Sequence, residues 1–568
     1  MLTRLKIRNF KLFDEVDIEL GQRVVLIGPN NAGKTSALQA LALWDFGLKR
    51  WTEKRGSGEV PEKRPGVTIN RRSLIAVPIP AANLLWRDLH VRSGRREGDK
   101  TRTENVLIEI TLEGVGKAGE WVCGLEFDYA NEESFYCRPP RRGESRMPVP
   151  PDAVDVRVAY LHPMSGLSAN ETRLDEGAIN VRLGEGRTAE VLRNLCWLVL
   201  QAGEEKWLRL VDRMRALFGI ELDAPKYVRE RGEIVMSYRT PASTQLDLSS
   251  SGRGQQQTLL LLAHMTANPG AVLLLDEPDA HLEILRQRQI YQVLADTAEQ
   301  TGSQIIAASH SEVILNEAAD RDLVVAFVGK PHRIDDRGSQ VLKALKEIGF
   351  EHYYQAEEVG WVLYLEGATD LAVLRAFAKR LNHRAQQLLE RPFVHYVANQ
   401  PRKAQAHFYG LREARQDLGG IAIYDRLEQA PPSDPYLQQL AWRRRELENY
   451  VCTRETLLAY AQALGSEQQG DLFGVAWRNA METAIQEIES ALAALGRPAP
   501  WGPDLKVSDE FLDPLFKNFF ERLKLPNLMR KTDYHVLASH VPADGIDAEI
   551  EEKLDAIVAV GNRARTQG

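Results

Sequence analysis

Gly28-Pro-Asn-Asn-Ala-Gly-Lys-Thr35 reads G-x-x-x-x-G-K-T, and these residue types at this spacing hold polyphosphate. Gly28 and Gly33 let the backbone bend so that several N–H groups face one phosphate cluster. Lys34 is then expected to reach the β- and γ-phosphates, and the Thr35 hydroxyl to sit on Mg²⁺. Asn30, Asn31 and Ser36 complete the expected cradle. The apolar run Val24-Val25-Leu26-Ile27 precedes the loop, and Ser36–Trp44 has helical character. A strand, a glycine loop and a helix whose positive dipole end faces the loop make a nucleotide site, with ATP and Mg²⁺ as the expected cofactors.

Three further stretches follow the loop. Leu246-Asp-Leu-Ser-Ser-Ser-Gly-Arg-Gly-Gln-Gln-Gln257 leads into a helix, so its serines either cap that helix or contact phosphate. Ala271-Val-Leu-Leu-Leu-Asp-Glu-Pro278 is a strand ending in the carboxylates Asp276 and Glu277. Gln304-Ile-Ile-Ala-Ala-Ser-His310 is a strand ending in a histidine.

A different pattern begins at Trp361-Val-Leu-Tyr-Leu-Glu366-Gly-Ala-Thr-Asp370, where an apolar strand ends in a carboxylate and a second one stands four residues on. Gly419-Gly-Ile-Ala-Ile-Tyr-Asp425 repeats the strand-end carboxylate, and Glu446-Leu-Glu-Asn-Tyr450 adds more acid. Carboxylates at the ends of neighbouring parallel strands stand where α/β sheets carry chemistry. Converging there, they hold one or two Mg²⁺ ions, which stabilise the attacking and leaving oxygens of a phosphodiester. The alternative is that Glu366 and Asp370 only favour the dipole of the helix that follows.

The elements that position these residues alternate strand and helix. Residues 2–20 suggest two strands around Phe10–Phe13, while Val106–Leu112, Trp121–Phe127 and Val156–Leu161 are strand-like. Residues 50–105 and Pro139–Pro151 read as irregular loops, and Thr188–Phe218 as helical. At 568 residues, two or more domains are expected. Hydrophobic content of 44% with 27% charged residues is that of a soluble globular protein, and no apolar run is long enough to span a bilayer. The N-terminus has no signal-peptide pattern, and four scattered cysteines suit a reducing cytoplasm better than a zinc or disulfide frame. The net charge of −7 makes no global case for nucleic acid. Locally, Lys49–Glu104 holds 14 Lys and Arg against 7 Asp and Glu, and Arg138–Arg142 with Arg146 forms a second basic patch. Each patch is either a phosphate contact or a solvated loop.

The order of P-loop, serine-rich stretch, Leu-Leu-Leu-Asp-Glu-Pro and strand-end histidine resembles the ABC-type ATPase head of the SMC-like group. The resemblance implies that Asp276 holds Mg²⁺, Glu277 polarises the attacking water and His310 contacts the γ-phosphate. It also implies that Ser250, Ser251 and Gly252 are the signature loop, which completes the site of the opposite protomer. The signature departs from the usual Leu-Ser-Gly-Gly-Gln, so which serine docks is open. Leu161-His-Pro163 stands where a Q-loop glutamine is expected, and no long coiled-coil arms interrupt the head.

The later strands, ending at Glu366 and Asp425, with the 446–450 segment, resemble a Toprim domain. A head followed by Toprim resembles the OLD nuclease family, with the Gabija nuclease subunit and the PARIS ATPase–Toprim pair among its relatives. The implied fold class is α/β: an SMC-like ABC ATPase head over residues 1–350 with a basic insertion near 50–105, then a Toprim α/β domain over 358–568 with helical additions near 455–530. The resemblance makes Glu366 a metal ligand or acid/base, Asp370 its partner, Asp425 the first residue of a D-x-D pair and Glu448 a later acidic ligand. The second D-x-D position is Leu427, which cannot bind metal, and Glu428 beside it points differently. Lys531 is either the downstream lysine of some relatives or a solvated side chain. The implied activity is an ATP-regulated, Mg²⁺- or Mn²⁺-dependent endonuclease of anti-phage defence. Its partners would be DNA or tRNA as substrate, a second copy or higher oligomer through the heads, and a phage-encoded trigger, with no membrane. The alternatives are an ATP-gated scaffold with a degenerate Toprim domain and an SMC-like repair ATPase.

Overall fold

The computed structural model describes the chain except residues 61–65, 98–99, 144, 165, 169, 320, 335–347, 432, 470 and 567–568. The chain divides into two compact α/β units, Met1–Leu342 and Lys343–Gly568.

The first unit holds two six-stranded sheets. One is antiparallel, in the spatial order Phe13–Glu19, Leu2–Phe10, Ile108–Gly116, Gly119–Asn131, Ser134–Arg138 and Val67–Asn70. The other contains β1 (Arg23–Ile27), β2 (Val158–Leu161), β3 (Val272–Asp276), β4 (Gln304–Ser309), β5 (Leu323–Ala326) and β6 (His332–Arg333), ordered β2-β3-β4-β1-β5-β6. All its pairings are parallel except β5 with β6. Its strands are near-continuous apolar runs because both faces are covered.

Helix α1 (Lys34–Arg55) follows β1 and packs against strands of both sheets. Ala37, Leu38, Ala40, Leu41, Leu43 and Trp44 are all buried, so the helix is apolar around most of its circumference. Trp44 stacks on Trp121 at 6.2 Å and donates its indole N–H to the Cys123 carbonyl at 3.0 Å. Truncating it to alanine would cost about 3–5 kcal/mol. The P-loop is therefore anchored at its helical end by one of the best-buried side chains of the unit.

Two stretches that read as loops are ordered. In the 50–105 insertion, α1 continues to Arg55, Val67–Asn70 joins the edge of the antiparallel sheet, and Arg92–Glu97 pairs with Lys100–Asn105. Val67 and Ile69 point inward while Thr68 and Asn70 point out, an alternation too short to stand out among Gly, Pro and Arg. Residues 61–65 and 98–99 of the insertion lie outside the described residues. Between Pro139 and Pro151, Arg141–Arg142 and Ser145–Val149 form strands. The second basic patch is ion-paired within the fold: Arg146 lies 3.0 Å from Glu126, Arg138 bonds Glu126, and Arg138 lies 2.9 Å from Asp128. Two of the patch's four arginines, Arg138 and Arg146, thus balance the buried Glu126 and the half-buried Asp128 within the fold.

In the second unit, α3 (Phe350–Val359) precedes β7 (Trp361–Leu365), followed by α4 (Ala368–Arg380), β8 (Val394–Tyr396), α5 (Pro401–Ala414), β9 (Gly419–Tyr424) and β10 (Leu437–Ala441). The four strands are parallel, in the order β8-β7-β9-β10. Trp361, Leu363, Leu365, Ile421 and Ile423 face a core shared with α4 and the C-terminal helix Ala548–Thr566. Helices α3 and α5 pack against the sheet and each other. Beyond β10 the chain is mainly helical, including Arg454–Gln469, Asp471–Ala494 and Asp513–Arg522. Phe511, Phe516, Phe519 and Phe520 carry those additions into the same core.

Candidate nucleotide site and acidic cluster

The parallel order of the first unit brings three candidate sets to one sheet edge. Strand β1 ends in the P-loop, its neighbour β4 ends at Ser309 before His310, and β3 ends at Asp276 before Glu277. Gly28 has φ +155°, and a Cβ there would lie 2.7 Å from the Phe327 carbonyl oxygen. Gly33 has φ +102°, and its Cβ would lie 2.8 Å from the Phe13 ring. Only glycine fits either position. Asn31 also has a left-handed backbone, at φ 64°, so the loop turns sharply between the two.

Lys34 is 6% exposed and donates to the carbonyls of Gly28 at 2.7 Å and Pro29 at 2.8 Å. Burial pulls its pKa down, while Glu277, Asp276 and Asp279 push it back up. The Thr35 hydroxyl donates to Asp276 Oδ1 at 3.1 Å, and Tyr160 at the end of β2 donates to Oδ2 at 3.2 Å. Burial raises the Asp276 pKa, and both hydroxyl bonds oppose it. A hydroxyl and a buried carboxylate side by side are oxygen donors suited to a hard cation. Glu277 adopts φ 47° and donates its backbone N–H to Ala308 at 2.8 Å, and its side chain lies 3.6 Å from His310 Nδ1. Both side chains are substantially exposed. The positive φ of Glu277 thus puts backbone strain at the acidic residue that follows β3, beside His310.

The serine-rich stretch behaves as a structured cap. Leu248–Ser250 forms a short turn, the Ser251 hydroxyl donates to the Leu248 carbonyl at 2.7 Å, and Gly252 caps α2 (Arg253–Ala267). Ser250 is exposed, while Ser251 is nearly buried. Ser249 is exposed as well, but its hydroxyl donates to Asp247 Oδ1 at 2.6 Å, whereas the Ser250 side chain makes no hydrogen bond among the described residues. Sequence reasoning missed Tyr160 and Asp279, the latter buried and accepting from Ser309 Oγ at 2.8 Å. Asp279 follows Pro278 closely enough that its link to the Asp276–Glu277 pair was readable.

In the second unit, Glu366 and Asp425 end the adjacent strands β7 and β9 and share a hydrogen bond. Asp370 sits in the first turn of α4 and accepts the backbone N–H of Glu366 at 3.0 Å and of Gly367 at 3.3 Å. The dipole role weighed from sequence is therefore real, yet the same carboxylate also acts on Asp425 electrostatically. Burial pushes the Asp370 pKa up to about 6 and that of Glu448 up to about 7. Asp425 is driven well above the carboxylate range by burial, then by its bond and charge contact with Glu366. Glu446, read from the sequence only as the start of the acidic 446–450 segment and given no role of its own, is 3% exposed and is held by the Ser508 N–H at 2.6 Å and the Ser508 hydroxyl at 3.0 Å. Burial raises the Glu446 pKa, and Lys506 and Lys531, which both pair with Asp509 at 2.6 Å and 2.9 Å, act against that rise. Leu427 is half-buried beyond the end of β9, and Glu428 is exposed. Glu366 and Asp425 are the pair in direct contact; among the described residues, no three of these carboxylates bring ligand atoms within 4.8 Å of one another.

Two family models match the first unit: "AAA ATPase domain" over residues 1–45 and "AAA domain, putative AbiEii toxin, Type IV TA system" over residues 210–316. Together with the P-loop geometry they define the class, an α/β ATPase unit. An OLD nuclease from Thermus scotoductus is 44% identical over 43 residues, 8% of this chain and 8% of that protein. The aligned stretch thus spans a small part of that relative. Among solved structures, the SMC head domain from Thermotoga maritima is 15% identical with TM-score 0.32, covering 59% of this chain and 98% of that one. A Pyrococcus furiosus Smc head domain with an extended coiled coil, bound to the C-terminal domain of ScpA, is 13% identical with TM-score 0.33, covering 61% and 99%. No helix among the described residues is long and apolar enough to cross a membrane.

Proposed function

We propose that the chain is an ATP-regulated, divalent-metal-dependent endonuclease of the OLD type, in which the second unit is a Toprim-like nuclease. The observation that carries this reading is the hydrogen-bonded pair Glu366–Asp425 at the ends of two parallel strands, with Asp370, Glu446 and Glu448 adding charge around it. Partly and fully buried carboxylates gathered this way fit a hard cation. Mg²⁺ keeps several waters and needs only one or two carboxylates, so the pair suffices without an acidic residue at 427. Such an ion stabilises charge on the attacking and leaving oxygens of a phosphodiester. The chain's part would be to hold that ion with Glu366 and Asp425, while Lys531 would have to exchange Asp509 for the nucleic-acid backbone. DNA or tRNA is the substrate class.

In the first unit, Lys34 exchanges the Gly28 and Pro29 carbonyls for terminal phosphates of ATP. Thr35 and Asp276 hold Mg²⁺, and Glu277 orients the water, with His310 beside it. Two copies close on ATP through Ser250, Ser251 and Gly252, and a phage-encoded trigger releases the nuclease in the cytoplasm. The test is cleavage of plasmid DNA and total tRNA by the purified chain in Mg²⁺ or Mn²⁺, with and without ATP. Metal-dependent cutting lost in Glu366→Gln supports the reading, and no cutting of either substrate under any condition overturns it.

A second reading, an ATP-gated scaffold with a degenerate nuclease unit, is favoured by the wide spacing of the carboxylates beyond the pair. It predicts ATP-dependent dimerisation with no divalent-ion binding at Glu366 and Asp425.

A further inference from the structure

His352, His395 and His407 are three of the chain's 12 histidines, and more than forty residues separate His352 from His395. The fold of the second unit brings them together from α3, the edge strand β8 and α5. One ligating nitrogen from each lies within 4.8 Å of the other two. His407 is buried, and the other two are half-buried. His407 Nε2 is 2.9 Å from His352 Nδ1, and the rings of His395 and His407 stack at 3.9 Å.

We propose that His352, His395 and His407 form a binding site for a borderline-soft divalent cation of the Zn²⁺ class, separate from the acidic cluster. The donor set decides the class of ion. Three imidazoles with no carboxylate among them suit Zn²⁺ and its first-row neighbours, whereas Mg²⁺ and Ca²⁺ require oxygen. The Tyr364 hydroxyl lies 2.9 Å from His407 Nδ1. Ligating histidines are oriented by such a contact at the other ring nitrogen, which here leaves Nε2 facing the other two rings. Burial and the neighbouring rings hold His395 and His407 neutral, the form that binds metal.

A metal lies in the plane of each imidazole that binds it, so two parallel stacked rings cannot share one ion. Binding therefore turns one ring. His395 is the one placed to turn: it sits half-buried on the edge strand, and its ring makes contacts with other rings but no side-chain hydrogen bond among the described residues. Zn–N bonds of about 2.0–2.1 Å in a tetrahedral site put the nitrogens about 3.3 Å apart, so the widest pair closes by at most about 1.5 Å while the His352–His407 pair opens by about 0.4 Å, within the reach of side-chain rotation. Three protein ligands leave a fourth position for water or an outside ligand. The ion would tie the edge strand to both helices on its flank.

The test is calorimetric titration of the full chain with Zn²⁺ after chelator treatment, with excess Mg²⁺ present to occupy the carboxylates. One Zn²⁺ per chain is expected, together with the visible absorption of a tetrahedral nitrogen site when Co²⁺ replaces it. Tyr364→Phe should weaken Zn²⁺ binding by about tenfold. His395→Gln and His352→Gln should each weaken it more, with metal-free melting temperatures near wild type; two variants are read so that one misfolded protein leaves the answer intact. Glu366→Gln with Asp425→Asn should leave Zn²⁺ affinity unchanged. The proposal is overturned if neither histidine variant weakens binding, if no Zn²⁺ binds, or if the carboxylate variant abolishes it. Because Zn²⁺ binding is read without nucleic acid, its failure is distinguishable from failure of the nuclease reading.

Discussion

The two units place carboxylates at the ends of parallel strands in the same way and balance them differently. In the first site three buried groups are already matched: Lys34 sits on two carbonyls, Asp276 on two hydroxyls and Asp279 on Ser309. In the second unit Glu366 stands beside Asp425 and raises its pKa, and the nearest lysines, Lys506 and Lys531, pair with Asp509. Like charges taken from water without counter-ions raise each other's pKa. The first site is thus poised to exchange internal partners for phosphate. The second is under electrostatic strain that a cation relieves.

The largest expected effect breaks the first half of that comparison. Lys34→Ala should lose ATP binding by more than a hundredfold with the fold retained, because alanine offers nothing to the terminal phosphates. Calorimetry with ATP and Mg²⁺ checks it, and unchanged affinity removes the P-loop assignment. Next, Glu277→Gln should bind ATP normally while hydrolysis falls by about 10²–10⁴-fold, since the amide cannot take up charge from the water. Phosphate release assays read this, and light scattering should show ATP-bound dimers accumulating.

Much of the first site was legible because its chemistry is local in sequence: eight consecutive residues specify the loop, and apolar runs mark the strands that carry it. The carboxylates Glu366, Asp370 and Asp425 were legible as strand ends. Glu446 was not, because its partner Ser508 lies 62 residues away and nothing near either residue announces the pairing. The serine that faces solvent in the signature was equally hidden, since the Leu248 carbonyl that captures Ser251 is a backbone group. The loop at 139–151 misled for a related reason. Its arginines and prolines suggest exposure, yet Arg138 and Arg146 are drawn in by Glu126, a partner from a strand that also carries part of the core.

A moderate effect sharpens the second half of the comparison through pH. Asp370 and Glu448, with pKa values pushed up to about 6 and about 7, keep protons in the folded chain that an unfolded chain releases near pH 4. Where the folded state binds more protons, stability falls as pH rises. The metal-free protein should therefore be most stable below about pH 4–5 as far as these groups decide, and lose that contribution as pH climbs through 6 and 7. Melting temperatures in chelator across this range should fall, and Mg²⁺ or Mn²⁺ should flatten the fall. Glu446→Gln should flatten it too, by removing a carboxylate that raises the pKa of both Asp370 and Glu448. A melting temperature that rises over the same window contradicts the account.

The smallest effect is expected at Tyr160→Phe. Losing one hydroxyl bond to Asp276 costs about 0.5–1.5 kcal/mol, so Mg²⁺–ATP binding should weaken only severalfold. A loss as large as that of Lys34→Ala would mean that the tyrosine does more than orient the carboxylate.

The central claim is that two chemically distinct sites work in one chain, and one paired assay addresses it most directly. Nucleic-acid cleavage and ATP hydrolysis are measured in the same reaction for wild type and Glu366→Gln, with saturating ATP and Mn²⁺. The account predicts that Glu366→Gln abolishes cutting while ATP turnover stays within about twofold of wild type, since the change removes an acidic oxygen from only one site. Cleavage by Glu366→Gln at the wild-type rate would contradict it.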